Sequence, residues 1–119
     1  MSRPAAIVTG GARGIGLACA EALADAGFDI LVVDLAEKAG DGLVANITGR
    51  GAKFAYHRGD IADLDDNAAL VDAATSAFGR IDCLVNNAGI GAVVRGDLLE
   101  LKPENFDRIL AINLRGTVF

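Results

Sequence analysis

The chain has no tryptophan, one tyrosine and one histidine, and aromatic residues make up 5% of its 119 positions. A core without large rings is filled by Ala, Val, Leu and Ile, which suits helices packed closely on both faces of a parallel sheet. Cysteine is scarce as well: Cys19 and Cys83 stand far apart, without C-x-x-C spacing and without a histidine arranged for metal. Both read as small buried hydrophobes, and a metal or redox role is set aside. No cluster of Lys and Arg occurs, and 11 basic against 16 acidic residues leave a net charge of −5 and a pI near 4.6. A nucleic-acid backbone or an anionic membrane would be repelled, so neither is expected as a partner. Long apolar runs are missing: a strong one, Ile30-Leu31-Val32-Val33, is far below the roughly 18 residues that span a bilayer. No apolar leader precedes the first strand, because Met1-Ser2-Arg3-Pro4 runs directly into it, and the expectation is a cytoplasmic protein.

What is present is 52% hydrophobic residues in a length that suits one domain, residues 1–119, and is too short for two. Ala5-Ala6-Ile7-Val8 reads as a buried strand, and Ile15 to Ala26 as a helix with Ile15, Ala18, Cys19, Ala22, Leu23 and Ala26 on its apolar face. Phe28 to Asp34 is a second strand, Glu37 to about Arg50 a glycine-diluted helix, and Lys53 to His57 an edge strand. Asp63 or Asp65 caps a helix whose Leu70, Val71, Ala74 and Phe78 share a face, with Gly79 as its stop. A fourth strand covers Ile81 to Asn86, and a helix with an early proline opens at Pro103 and carries its apolar pattern through Phe119. The alternation is β-α-β-α-β-α-β, so right-handed crossovers make every strand parallel, in the order 3-2-1-4 for a dinucleotide fold.

Between the first strand and the first helix lies Thr9-Gly10-Gly11-Ala12-Arg13-Gly14-Ile15-Gly16. A backbone that curls around two phosphates needs positions without a Cβ, and a helix N-terminus adds free N–H groups that favour negative charge. Gly10, Gly14 and Gly16 supply those positions, so the segment reads as a pyrophosphate cradle. Its form, T-G-x-x-x-G-x-G, departs from G-x-G-x-x-G, since reading on from Gly14 reaches Cys19 where the third glycine would stand. Asp34 lies eighteen residues beyond Gly16, where an acid accepts both ribose hydroxyls. Alone it reads equally as a solvated acid at a strand end. Behind the glycine turn it points to NAD, because a 2′-phosphate would set like charges together. Arg13 is a cation able to offset that clash, which keeps NADP as the poorer alternative.

Gly59-Asp60-Ile61 follows the third strand at the sheet edge that would face an adenine, where Asp60 can accept from an exocyclic amine. Asp60 can equally cap the next helix. Asn86-Asn87-Ala88-Gly89 follows the fourth strand; it is either an Asn-rich turn or a segment that approaches a ligand closely at the switch-point crevice. Asn113, amid Leu110, Ile112 and Leu114, reads on its own as a satisfied core amide.

Together, Thr9-Gly10-x-x-x-Gly14-x-Gly16, Asp34, Asp60, Asn86-Asn87-Ala88-Gly89 and Asn113 stand in the order and relative placement of the classical short-chain dehydrogenases/reductases. The chain resembles that family over its whole length. The resemblance implies an α/β fold, a Rossmann-type doubly wound parallel sheet truncated before its remaining strands. It also implies hydride transfer between a nicotinamide cofactor and a small-molecule secondary alcohol or ketone. By the resemblance, Gly10, Arg13, Gly14, Ile15 and Gly16 hold the pyrophosphate, and Asp34 with Leu35 selects the ribose. Asp60 with Ile61 meets the adenine, and Asn87, Ala88 and Gly89 lie along the cofactor. Asn113 looks like the helix asparagine of the family's catalytic tetrad, whose backbone orders a water in a proton relay. A homotetramer built through helices like the one at Pro103 is implied too. A 3-oxoacyl-thioester reductase is a frequent family role, while sugar alcohols, steroids and small hydroxy acids are served by the same scaffold. The loop from Ile90 to Lys102, with Arg95, Asp97 and Glu100, reads either as an entrance or as solvated surface.

One departure is large. The family's chemistry uses a serine, a tyrosine and a lysine in a Y-x-x-x-K arrangement. Here no serine follows Ser76, no lysine follows Lys102, and Tyr56 is followed at the fourth position by Asp60. Tyr56 therefore reads as an edge-strand packing residue, His57 as a surface residue, and residues 1–119 as the amino-terminal part of a longer enzyme. The alternative, should the chain end at Phe119, is a non-catalytic dinucleotide-binding module. A flavodoxin-like response regulator fits worse, for want of an acidic pair near the first strand.

Overall fold

The computed structural model describes residues 3–90 and 96–119. Four parallel strands, β1 (Ala5–Thr9), β2 (Asp29–Asp34), β3 (Phe54–Arg58) and β4 (Cys83–Val85), lie in the order β3-β2-β1-β4. The helices α1 (Gly14–Asp25), α2 (Asp41–Thr48) and α3 (Leu64–Phe78) connect them. The expected order is the observed one. Strand order reverses at β1, which opens a crevice beyond the carboxyl ends of β1 and β4.

The apolar run of β2 follows from burial on both faces. Ile30 and Val32 join Ala6, Val8, Ala20, Ala24 and Ile47 on the side of α1 and α2, while Leu31 and Val33 join Ile7, Leu70 and Ala74 on the side of α3. Helix α1 buries a different stripe from the one its sequence pattern indicates. Gly16, Ala20 and Ala24 face the sheet, Cys19 and Leu23 are half-buried, and Ile15 is 77% exposed. Alanine carries little hydrophobic weight, so closeness of approach sets the rotation: the smallest residues at four-residue intervals let the helix lie near the strands. Cys19 and Cys83 pack at the margin of that cluster and are half-buried rather than enclosed.

Helix α2 starts at Asp41, later than its pattern indicates, because Gly40 is extended at the N-cap and two glycines flank Asp41. Arg50 ties it to α1 through Glu21 at 2.9 Å and Asp25 at 2.7 Å. Helix α3 is capped by Asp63, whose carboxylate accepts from Asp65 N at 3.1 Å, and it ends at Gly79 in the left-handed region with φ 76°. Leu70 and Ala74 of its expected face are buried, Phe78 packs at the edge of the cluster, and Val71 is exposed. Strand β4 is shorter than expected, because its pairing with β1 covers only Cys83 to Val85.

The helix opening at Pro103 has three parts. Helix α4 (Pro103–Leu110) carries proline in its first turn, a π-helical turn covers Ala111–Arg115, and Gly116–Val118 is helical again. Only Ile112 of this stretch is buried; Phe106, Leu110, Leu114, Val118 and Phe119 are exposed.

Asp82 fastens the start of β1. Its carboxylate accepts from Ala5 N at 2.9 Å and from Arg80 at 2.6 and 2.7 Å. The Arg80 hydrogen bonds, then the Ala5 amide, hold its carboxyl below the ordinary value of 3.8. Asp82 therefore stabilises the fold above the unfolded-state value, and that contribution is lost as pH falls through the lower folded-state value. The stability difference between the native chain and Asp82→Asn, measured by urea unfolding, is expected to be constant near neutrality and to shrink below about pH 4. A difference unchanged down to pH 2 would contradict this role.

Candidate cofactor site

At the carboxyl end of β1 the chain turns sharply. Gly10 has φ 64° and donates to Val33 O at 2.7 Å, Gly14 has φ 59°, and α1 begins at once. Gly16 is packed beneath this turn. A Cβ there would collide with Gly10 O and stand 2.5 Å from Asn87 Nδ2, so the turn closes on this helix only over glycine. The N-cap residue Arg13 makes no side-chain cap bond, and the first turn of α1 carries no acid. The helix N-terminus thus keeps its unpaired N–H groups and its positive potential.

Thr9 joins this turn to the segment after β4. It is 3% exposed; its Oγ1 donates to Val85 O at 3.2 Å and accepts from Asn87 N and Ala88 N, each at 3.0 Å. Asn87 Nδ2 donates to Gly10 O at 3.1 Å. Thr9 was legible in sequence only as part of the glycine motif, since its partners lie more than seventy residues away. Further along, Asn113 grips the backbone of Ile90 with both ends of its amide: Ile90 N donates to Oδ1 at 2.8 Å and Nδ2 donates to Ile90 O at 2.9 Å. The amide is satisfied, but on an exposed residue within the π-helical turn rather than in the core. Such turns often mark functional positions.

Asp34 is held on two sides. Oδ2 accepts from Ala12 N at 3.1 Å and Oδ1 from Leu35 N at 2.8 Å, while the Asp34 carbonyl accepts from Gly59 N at 3.0 Å. Asp60 combines turn capping with an ion pair, accepting from Ala62 N at 3.0 Å and from Arg108 Nη1 at 3.1 Å. A Cβ on Gly116 would stand 2.5 Å from Ile61 O, and Arg115 donates to Ala62 O at 3.0 Å, so the last helical stretch is docked on the β3–α3 turn. His57, read as an unpaired surface residue, is instead half-buried and bonded through Nε2 to Asp66 at 3.1 Å.

These segments surround a cavity of about 370 Å³, within the usual span of small-molecule sites. The glycine turn contributes Gly10, Arg13, Gly14 and Ile15, and the end of β2 contributes Asp34 and Leu35. Asp60 and Ile61 come from the β3–α3 turn, and Asn87, Ala88 and Gly89 from beyond β4. Gly16 lies under the wall rather than in it. Sequence reasoning did not select Val33 or Ile112, which also line the cavity and read as ordinary apolar residues, and Ile90 was named only as the start of the entrance loop. Asn113 stands behind Gly89, where a Cβ would meet Oδ1 at 3.3 Å. Of the entrance loop, Arg95 lies outside the described residues, and Asp97 and Glu100 are exposed.

A four-stranded parallel sheet in this order, with helices on both faces and a glycine turn at the strand reversal, defines a Rossmann-type fold. Residues 4–119 match the family model for short chain dehydrogenase, and the chain belongs to that family. It is 45% identical over 116 residues to D-threitol dehydrogenase of Mycolicibacterium smegmatis, covering 94% of this chain and 42% of that protein. The crystal structure of 3-oxoacyl-[acyl-carrier protein] reductase from Brucella melitensis in complex with NAD is 52% identical with a TM-score of 0.92, covering 99% of this chain and 46% of that one. A metagenomic short-chain oxidoreductase in complex with NADP is 33% identical with a TM-score of 0.88, covering 97% and 52%. The chain spans about half the length of these relatives or less.

Proposed function

We propose that this chain is the cofactor-binding part of a cytoplasmic NAD-dependent oxidoreductase that interconverts a secondary alcohol and a ketone. The observation that carries the reading is the alignment of an uncapped helix N-terminus, a turn that closes only over Gly16, and Asp34 around one cavity. These residues fit a nicotinamide dinucleotide. Bound there, such a cofactor accepts or supplies the hydride. The amides of α1's first turn bind the pyrophosphate, and Asp34 accepts from the adenosine ribose hydroxyls. Asp60 accepts from the adenine amine, beside Ile61. Asn87, Ala88 and Gly89 run along the remaining length, fixed by Thr9.

Asn113 fixes Ile90 against the π-helical turn, and its backbone serves the proton relay that the family resemblance assigns. Tyr56 takes no part in proton transfer, because its hydroxyl donates to Ala36 O at 2.6 Å at the ribose end. A serine and a Y-x-x-x-K pair from a longer protein would supply the general acid and base. A 3-oxoacyl thioester is the leading substrate class, supported by likeness to the Brucella reductase; a sugar alcohol is the second, supported by the threitol dehydrogenase. A homotetramer joined through the exposed apolar residues of α4 completes the proposal.

Asp34→Ala tests the cofactor choice. Loss of a charged hydrogen-bond acceptor costs about 1.5–3 kcal/mol, so the preference for NAD over NADP is expected to fall roughly tenfold to a hundredfold. Calorimetric titration with each cofactor reads it, and an unchanged ratio would overturn the ribose role.

A further inference from the structure

Beyond β2 the chain makes a bare elbow. Residues 35–40 form no helix or strand, and α2 begins only at Asp41. Among the described residues, one side chain reaches in to hold residues 36–39: Tyr56, whose hydroxyl donates to Ala36 O at 2.6 Å. Tyr56 is rooted in β3, in register with Val32, and its half-buried ring packs against the cluster beneath α1 and α2. Burial first, and the Asp34 charge second, push its hydroxyl above the ordinary value of 10.0, so it stays a donor throughout the neutral range.

We infer that Tyr56 is a positioning residue that sets cofactor selectivity, because its hydroxyl pins the elbow whose Leu35 amide holds the Asp34 carboxylate. The inference rests on the proposed ribose role of Asp34. The chain of contacts is short: Tyr56 Oη fixes Ala36, the neighbouring Leu35 N fixes Oδ1, and Ala12 N in the glycine turn fixes Oδ2. A carboxylate bonded to amides on both sides cannot swing aside without breaking a charge-assisted hydrogen bond. This resolves the conflict between Asp34 and Arg13. Arg13 lines the same cavity, and its guanidinium has no hydrogen-bond or ion-pair partner among the described residues, so it is free to meet a 2′-phosphate. The locked carboxylate keeps that phosphate out. Removing the hydroxyl frees the elbow, releases Oδ1 and lets Asp34 turn toward Arg13.

The test is calorimetric titration of the full chain with NAD and with NADP, for the native protein, Tyr56→Phe, Tyr56→Leu, Asp34→Ala and the Asp34→Ala/Tyr56→Phe double variant. Tyr56→Phe keeps the ring and its packing. Its preference for NAD is expected to fall about fivefold, the scale of one ordinary hydrogen bond. Tyr56→Leu should shift the ratio equally while melting at a lower temperature, which separates selectivity from packing. In the double variant the added Phe change should move the ratio no further, because the carboxylate it positions is gone. A ratio unchanged in Tyr56→Phe while Asp34→Ala shifts it would overturn the role of Tyr56 and leave the ribose reading standing. A shift in Tyr56→Leu alone would also overturn it, since packing would then be the cause. A ratio unmoved by Asp34→Ala would overturn both.

Discussion

Gly16→Ala is expected to abolish detectable NAD binding and to lower stability by about 1–3 kcal/mol, the usual cost of forcing a methyl group into filled space. The atoms its Cβ would meet are the carbonyl of Gly10 and the Asn87 amide that bonds to it. Neither is the free end of a flexible side chain, so relief requires the turn to lift from α1 or Asn87 to release Gly10. Either movement displaces the amides that would face the pyrophosphate. Gly14 supplies the contrast. A Cβ there meets nothing within 4 Å, and the cost is conformational, since φ is +59°; an L-residue in that region pays about 1–2 kcal/mol. Gly14 also lines the cavity, so Gly14→Val extends a branched side chain into the volume a phosphate would need. Gly14→Ala should lose modest stability and retain weak binding, Gly14→Val should lose binding at similar stability, and Gly16→Ala should lose both. Urea unfolding and calorimetric titration separate these outcomes. Retained NAD affinity in Gly14→Val would mean that the phosphates do not sit at this turn.

The sheet was readable because burial on both faces leaves a near-continuous apolar run, as in Ile30-Leu31-Val32-Val33, and because crossover handedness leaves few topologies for alternating elements. Helix rotation was not readable. In α1 six of the twelve residues are alanine or glycine, so the sequence offers two near-equivalent faces and close packing of Gly16, Ala20 and Ala24 decides between them. Neither was the break at Ala111–Arg115, since the apolar spacing of the final helix continues through it while the hydrogen bonding changes to a wider turn. At the site, most of the residues that line the cavity announced themselves through local spacing around glycines and strand ends, with Val33 and Ile112 as exceptions. The residues that hold them in place did not. Thr9 and Tyr56 act on partners brought near by the fold, and a hydroxyl in a strand looks the same in sequence whether it holds one hydrogen bond or three.

That distinction is sharpest at Thr9. Thr9→Val keeps the shape of the side chain and removes its oxygen, and is expected to destabilise the fold by about 2–5 kcal/mol. The hydroxyl uses its full capacity, donating to Val85 O and accepting from two successive amides, Asn87 N and Ala88 N. Valine leaves both amides and the carbonyl without this partner at a position that is 3% exposed, where water has little access. A loss of that size is a large part of the 5–15 kcal/mol typical of a whole domain. Thr9→Ser restores the oxygen and gives up only a methyl group, worth about 0.8 kcal/mol. The stability order should therefore be Thr, then Ser, then Val, the reverse of what strand propensity and apolar burial alone would give for Ser and Val. The effect should extend to ligand binding, because the same hydroxyl fixes Asn87, whose side chain bonds to Gly10 and so joins the loop after β4 to the glycine turn. Serine should preserve NAD affinity within a few-fold, and valine should weaken it well beyond that even under conditions where the protein remains folded. If valine proves as stable as serine and binds NAD equally well, the hydroxyl is not what joins the two halves of the site, and the apolar contact of the Thr9 methyl must be sufficient.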